Sequence, residues 1–171
     1  MKVSIDAIEY YLPKKKEDNQ VLLTENPDWR LDEIESKTGI KSRYVAEPDQ
    51  TATDMAVIAI NKLFNSDVNP LDIDFLIFVT QSPDYALPTS ACILQDILGL
   101  KTSSMAFDVN LGCSGFTYGL AIGGSLIESG IAEQGLLICS DTYSKYIDKN
   151  DRTCRSVFGD AASATHLVAS K

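Results

Sequence analysis

Phe107-Asp108-Val109-Asn110-Leu111-Gly112-Cys113-Ser114-Gly115-Phe116 is the stretch on which the fold turns. Met105–Val109 reads as a strand, and a helical pattern follows over 113–129 with Gly130 just past its end. Between them, Gly112 and Gly115 permit a tight turn and close backbone approach. Strand, short turn and helix in that order form the repeating unit of an α/β sheet. Cys113 falls at the helix start, where unpaired N–H groups and the helix dipole stabilise negative charge on sulfur. A thiol lifted from a sheet edge on such a junction suits a nucleophile that accepts an acyl group as a thioester. A small cysteine packed at a helix start is the competing reading of the same residues.

Working outward, the same alternation recurs. Residues 3–8 alternate apolar and polar and read as a strand, ended by Pro13 and a Lys14–Lys16 loop. Helical stretches follow at 19–25 and 31–38, with Gly39 at a C-cap position, and residues 41–45 are extended. Thr53 is the expected cap of a helix reaching about Asn65, and Pro70 lies beyond it. Phe75-Leu76-Ile77-Phe78-Val79 is an unbroken apolar run suited to a strand covered on both faces. A helix over 88–98 opens with Pro88, and strands are expected at 135–140 and 161–169. The fold class is therefore α/β, a five-stranded sheet with helices packed on it, mixed if the last strand pairs antiparallel. The direction of the last strand stays open.

Composition narrows the function. The chain has 171 residues, 24 acidic and 15 basic, for a net charge of -9, and 44% of its residues are apolar. That apolar share excludes a disordered chain, and the acidity argues against a nucleic-acid partner. No run approaches the ~20 apolar residues that would span a bilayer, so the expectation is a soluble cytoplasmic protein with no membrane partner. Bases concentrate at Lys37, Lys41 and Arg43, and again at Lys145, Lys149, Arg152 and Arg155. Two solvated loops would explain them; so would two clusters that meet in space around an anion.

Four cysteines occur, Cys92, Cys113, Cys139 and Cys154, with no CxxC spacing and a single histidine, His166. A zinc site and a disulfide framework are both disfavoured. Cys139, inside Leu136-Leu137-Ile138-Cys139, and Cys92, beside Ile93 and Leu94, are expected in the core. Cys154 lies between Arg152 and Arg155, in what reads as a loop where a thiolate could be favoured. His166 is expected to be structural.

Taken in order, several marks resemble one family: Tyr11-Leu12-Pro13, Trp29, Lys37-Thr38-Gly39-Ile40-Lys41, Asp84-Tyr85-Ala86-Leu87-Pro88, the Cys113 block, and Asp151-Arg152 leading to Phe158-Gly159-Asp160. The chain resembles 3-oxoacyl-[acyl-carrier-protein] synthase III, a condensing enzyme of the thiolase-like superfamily. The likeness runs over residues 1–171 and corresponds to the N-terminal half of such an enzyme.

The resemblance implies an acyltransferase of fatty acid biosynthesis and lipid metabolism, acting as a homodimer on acyl-CoA and acyl carrier protein, with no cofactor and no metal. Cys113 matches the nucleophile. Trp29 and Arg152 match residues flanking the CoA adenine, and Lys37 stands where the family has an arginine for a CoA phosphate. Leu87 matches a position that reaches across the dimer to the partner's acyl pocket. The family's catalytic His and Asn belong to the other half, so this stretch alone is expected not to condense, and to self-associate through apolar surface. Asn110-Leu111-Gly112 and Gly159-Asp160-Ala161-Ala162-Ser163 depart from the family's usual runs. They leave room for a specialised ketosynthase, a 3-hydroxy-3-methylglutaryl-CoA synthase-like enzyme, or a non-catalytic scaffold half.

Overall fold

A computed structural model describes residues 2–170. The elements are β1 (Lys2–Tyr11), β2 (Lys15–Asp18), α1 (Asn19–Glu25), α2 (Leu31–Thr38), β3 (Ser42–Val45), α3 (Ala52–Phe64), β4 (Phe75–Val79), α4 (Ser90–Ile97), β5 (Met105–Val109), α5 (Gly115–Glu128), β6 (Gln134–Asp141), α6 (Arg152–Arg155) and β7 (Ala161–Ser170). Five strands build one sheet in the order β1-β7-β6-β4-β5. β5, β4 and β6 are parallel, whereas β7 runs antiparallel to both β6 and β1. The five-stranded mixed sheet read from the sequence is the sheet observed, and the last strand is antiparallel.

The sheet divides two apolar layers through the period-2 geometry of its strands. All five residues of β4 are buried. Leu76 and Phe78 pack with Leu136 and Ile138 toward α3 and α4, meeting Met55, Ala59, Leu63 and Leu94. Phe75, Ile77 and Val79 pack with Leu137 and Leu167 on the opposite face, toward Ile127 of α5. Full burial of each such side chain stabilises by about 1.5–3 kcal/mol. α5 reaches its face through a row of residues without side chains. A Cβ on Gly115 would fall 2.3 Å from Val79 Cγ1, and one on Gly123 2.9 Å from Leu167 Cδ1.

Local chemistry explains where elements begin. α3 is capped by Thr51, not Thr53: Thr51 Oγ1 accepts from Asp54 N at 3.1 Å, and Asp54 Oδ2 accepts from Thr51 N at 2.8 Å. Thr53 is buried inside the first turn. α4 starts after Pro88, because the Asp108 carboxylate accepts from Ser90 N (2.9 Å) and Ala91 N (2.7 Å). α2 ends as expected at Gly39, with φ 73°. The Lys14–Lys16 loop is in part a strand: β2 pairs antiparallel with β3, Glu17 opposite Arg43. No helix among the described residues is long and apolar enough to cross a membrane.

Candidate active site

The parallel strands β4, β5 and β6 end on one edge of the sheet, which is where open α/β sheets bind ligands. Asp141, at the end of β6, organises that edge. Its Oδ1 accepts from Thr80 Oγ1 (3.0 Å), Gln81 N (2.7 Å), Ser82 N (3.1 Å) and Ser82 Oγ (3.0 Å). The segment leaving β4 is thus tied to β6. Beside it, the chain leaves β5 and turns sharply, with Leu111 N donating to Val109 O (3.0 Å) and Gly115 N to Gly112 O (2.8 Å).

Cys113 sits on this turn and is exposed. The helix starts two residues later than the sequence pattern suggests, because the Gly112–Gly115 hydrogen bond closes a turn first. Cys113 therefore stands on the approach to α5 rather than within its first turn. Ser114, the N-cap, gives no side-chain hydrogen bond to the helix. The amide end of α5 is left without that internal acceptor, one residue after Cys113 in the chain.

The other thiols fall into three environments. Cys139 is half-buried, and burial, reinforced by the Asp141 charge, pushes its thiol up to about 11. Cys92 is exposed, contrary to the core position expected; its Sγ accepts from Thr89 Oγ1 at 3.3 Å near the start of α4. Cys154 lies on the short helix α6, not in a loop. There the N-cap Asp151 hydrogen-bonds to it and pushes its thiol above the ordinary value, the reverse of what the flanking arginines suggested. His166 is buried in β7 and held at 3.1 Å from Asp6 Oδ2 and 2.8 Å from Gln134 Oε1.

One residue from each basic cluster, Arg43 and Arg155, meets the other around a carboxylate of the chain itself. Glu17 faces Arg43 at 3.6 Å, Arg155 at 3.7 Å and Lys15 at 3.9 Å. Arg155 also binds Glu25, and this hydrogen bond holds the Glu25 carboxyl below its usual range against a smaller effect of desolvation. Arg43 Nη2 donates to Asn19 Oδ1 at 2.5 Å; burial lowers the pKa of this guanidinium, with Glu17 opposing. Lys145 donates to Pro48 O (3.0 Å) and Gln50 O (2.6 Å). A cavity of about 140 Å³ lies beside this network, bordered by Lys15, Glu17, Ser144, Lys149, Arg155 and Phe158.

Lys37, in the last turn of α2, and Arg152, the first residue of α6, remain exposed. Trp29 is half-buried in the turn before α2. Trp29 thus lies before the first turn of α2 and Lys37 in its last turn, with the length of the helix between them. The Arg155–Glu25 pair ties α6 to the end of α1, which brings the segments carrying Arg152 and Trp29 to the same side. Leu87, in the loop before α4, is 83% exposed.

Sequence reasoning missed Asp141 and gave Asp160 no role beyond its place in a family mark. Asp160 is buried and accepts from Ala46 N (2.8 Å), Ser144 N (2.9 Å) and Ser144 Oγ (2.6 Å), joining β3 to the segment after β6. An acid directly after a buried run was the available signal for Asp141. Among the described residues no group of three or more His, Cys, Asp or Glu could hold a metal ion.

With this geometry in view, known proteins supply the class. Residues 107–171, which include the Cys113 turn, match the family model described as 3-oxoacyl-[acyl-carrier-protein (ACP)] synthase III. Over its whole length the chain is similar to a 3-oxoacyl-(acyl-carrier-protein) synthase III, at 46% identity and TM-score 0.96, covering 51% of that chain. A 3-oxoacyl-(acyl-carrier protein) synthase from Burkholderia xenovorans LB400 matches all of it at 35% identity and TM-score 0.95, with 49% of that chain covered. FabH from Pseudomonas aeruginosa PAO1 matches all of it at 33% and 0.92, with 53% covered. The chain spans about half the length of these solved structures. The likeness read in the motifs is shown: this is a chain of the 3-oxoacyl-[acyl-carrier-protein] synthase III family, with the thiolase-like fold of its condensing enzymes.

Proposed function

We propose that the chain carries the acyl-accepting half of a 3-oxoacyl-[acyl-carrier-protein] synthase, with Cys113 as nucleophile. The observation that carries this reading is the exposed Cys113 thiol on a β5–α5 turn, at the edge where three parallel strands end. The Cys113 thiolate attacks the carbonyl carbon of an acyl-CoA. The carbon–sulfur bond to CoA breaks, CoA leaves as a thiolate that takes a proton from solvent, and a Cys113 thioester remains.

Lys37, Arg152 and Trp29 bind the CoA on this reading. Trp29 offers a ring face to the adenine, Arg152 a guanidinium plane, and Lys37 a point charge to a phosphate. Leu87 is open to solvent and so free to contact a second subunit, which fits a homodimer in which it lines the neighbouring acyl pocket. In the second step a malonyl carrier protein loses carbon dioxide. Its enolate attacks the acyl carbon, Cys113 leaves as thiolate, and a 3-oxoacyl carrier protein results.

That second step draws on groups besides these. The chain's single histidine is locked between Asp6 and Gln134, so it offers no free imidazole to polarise the malonyl carbonyl. Alone, residues 1–171 take the acyl group and do not condense it. Incubation with acetyl-CoA, followed by peptide mass spectrometry, tests the proposal. An acetyl group on the Cys113 peptide, absent after Cys113→Ala, is expected. An unmodified Cys113 that still alkylates with iodoacetamide would overturn it.

A further inference from the structure

Two contacts grip the backbone on either side of Cys113. Gly115 lies on Val79, inside the core. Gly112 lies on the side chain of Gln81: a Cβ there would sit 2.6 Å from Oε1, 3.0 Å from Cδ and 3.3 Å from Nε2. Gln81 is exposed, and an exposed glutamine ordinarily samples several rotamers. Here its backbone is fixed from both sides. Thr80 N donates to Val109 O at 3.2 Å, and Gln81 N donates to Asp141 Oδ1 at 2.7 Å. Ser82, next along, is held by the same Asp141 oxygen and accepts from Thr142 N at 2.8 Å through Oγ. The Asp141 carboxylate thus anchors, from β6, the residue whose amide lies against the turn leaving β5.

We propose that Gln81 is a positioning residue for Cys113, its side chain bracing the Gly112 backbone so that the thiol is presented in one orientation. The inference rests on Cys113 as the reacting group. A methyl on residue 112 would need the space that the Gln81 amide occupies, so the amide would have to move away from the turn. Residues 81 and 112 are then energetically coupled, whereas contacts that merely hold the fold would leave Cys113 no different from any other exposed thiol.

The test is the iodoacetamide rate of Cys113 relative to that of Cys92, a second exposed thiol in the same molecule, at one fixed pH. Gln81→Ala is expected to lower this ratio by more than about twofold with an unchanged melting temperature, since independent sites agree within about that factor. Gly112→Ala is expected to lower it at least about threefold in the native background and less than about twofold when added to Gln81→Ala. Effects that simply multiply, or a ratio unmoved by Gln81→Ala, would overturn the proposal. If Gly112→Ala does not fold, the Gln81→Ala ratio alone decides. Alkylation needs no acyl donor, so a failure of acyl transfer refutes the proposed function and leaves this test standing.

Discussion

Gly119 rests directly on Leu137: a methyl group on the glycine would fall 2.3 Å from the leucine Cδ1 and 3.2 Å from Cδ2. Leu137 is fully buried in β6, so for it to yield, its core neighbours must shift as well. The Gly115, Gly119 and Gly123 row is what lets α5, and with it the Cys113 turn, lie close on the sheet. Gly119→Ala is expected to destabilise by about 1–3 kcal/mol, the usual cost of overpacking a filled core. A urea titration checks this, and an unchanged midpoint would show that α5 can lift without cost.

The cysteines should separate by pH. With its thiol near 11, Cys139 stays protonated at neutral and mildly basic pH, whereas Cys113 and Cys92 are open to solvent. Only the thiolate reacts, so iodoacetamide near about pH 8 is expected to mark Cys113 and Cys92 and to spare Cys139. Raising the pH toward 11 brings Cys139 into reach. Peptide mapping across a pH series reads the order directly.

Asp74 links three strands and should govern acid stability. Its Oδ2 accepts from Glu133 N at 2.9 Å, and its Oδ1 pairs with Lys101 Nζ at 3.1 Å. Partial burial is the largest single influence and works against ionisation, but the Glu133 and Gln134 N–H groups and the Lys101 ammonium together outweigh it, and the folded-state pKa is lowered. A lowered carboxylate pKa stabilises the fold above the unfolded value, about 3.9 for aspartate, and that contribution disappears as pH falls through the folded value. Asp74→Ala is expected to cost about 1–2 kcal/mol at neutral pH. The gap from the native protein should close under strong acid, as denaturant midpoints at several pH values would reveal.

Glu17 and Arg43 should behave as a unit. Their side chains are 6% and 3% exposed and lie 3.6 Å apart. Arg43→Met leaves Glu17 facing only Arg155 and Lys15, and removing one partner of a buried pair typically costs about 3–5 kcal/mol. Adding Glu17→Gln removes the stranded charge, so the double variant is expected to lose less than the sum of the two single losses. Strict additivity in chemical denaturation would deny the coupling.

What the sequence disclosed, and what it hid, follows from how local each cause is. Phe75–Val79 and the alternation of β5 and α5 were legible because burial imprints a period on neighbouring residues. β2 was not: Lys15-Lys16-Glu17-Asp18 is wholly charged, and its one inward residue is satisfied by Arg43, 26 positions away. Cys92 looked like core because Ile93 and Leu94 follow it, yet on α4 the buried face passes through Ala91 and Leu94 and leaves position 92 outside. The turn that carries Cys113 was legible from Gly112 and Gly115. Gln81 and Asp141 were not, since what makes them matter is a contact between the ends of different strands.

The pairing of β1 with β7 sets Lys2 opposite Ser170 and Tyr11 opposite Ala162. During synthesis β1 must therefore wait, unpaired, until β7 has emerged. The parallel trio β5, β4 and β6 can assemble earlier, from closer parts of the chain. Ile5, Ile8 and Tyr10, still about half exposed after folding, are unsheltered throughout that interval. Strands that wait in this way are open to chaperones and to wrong partners. β1 is thus made well before the partner that gives it a place.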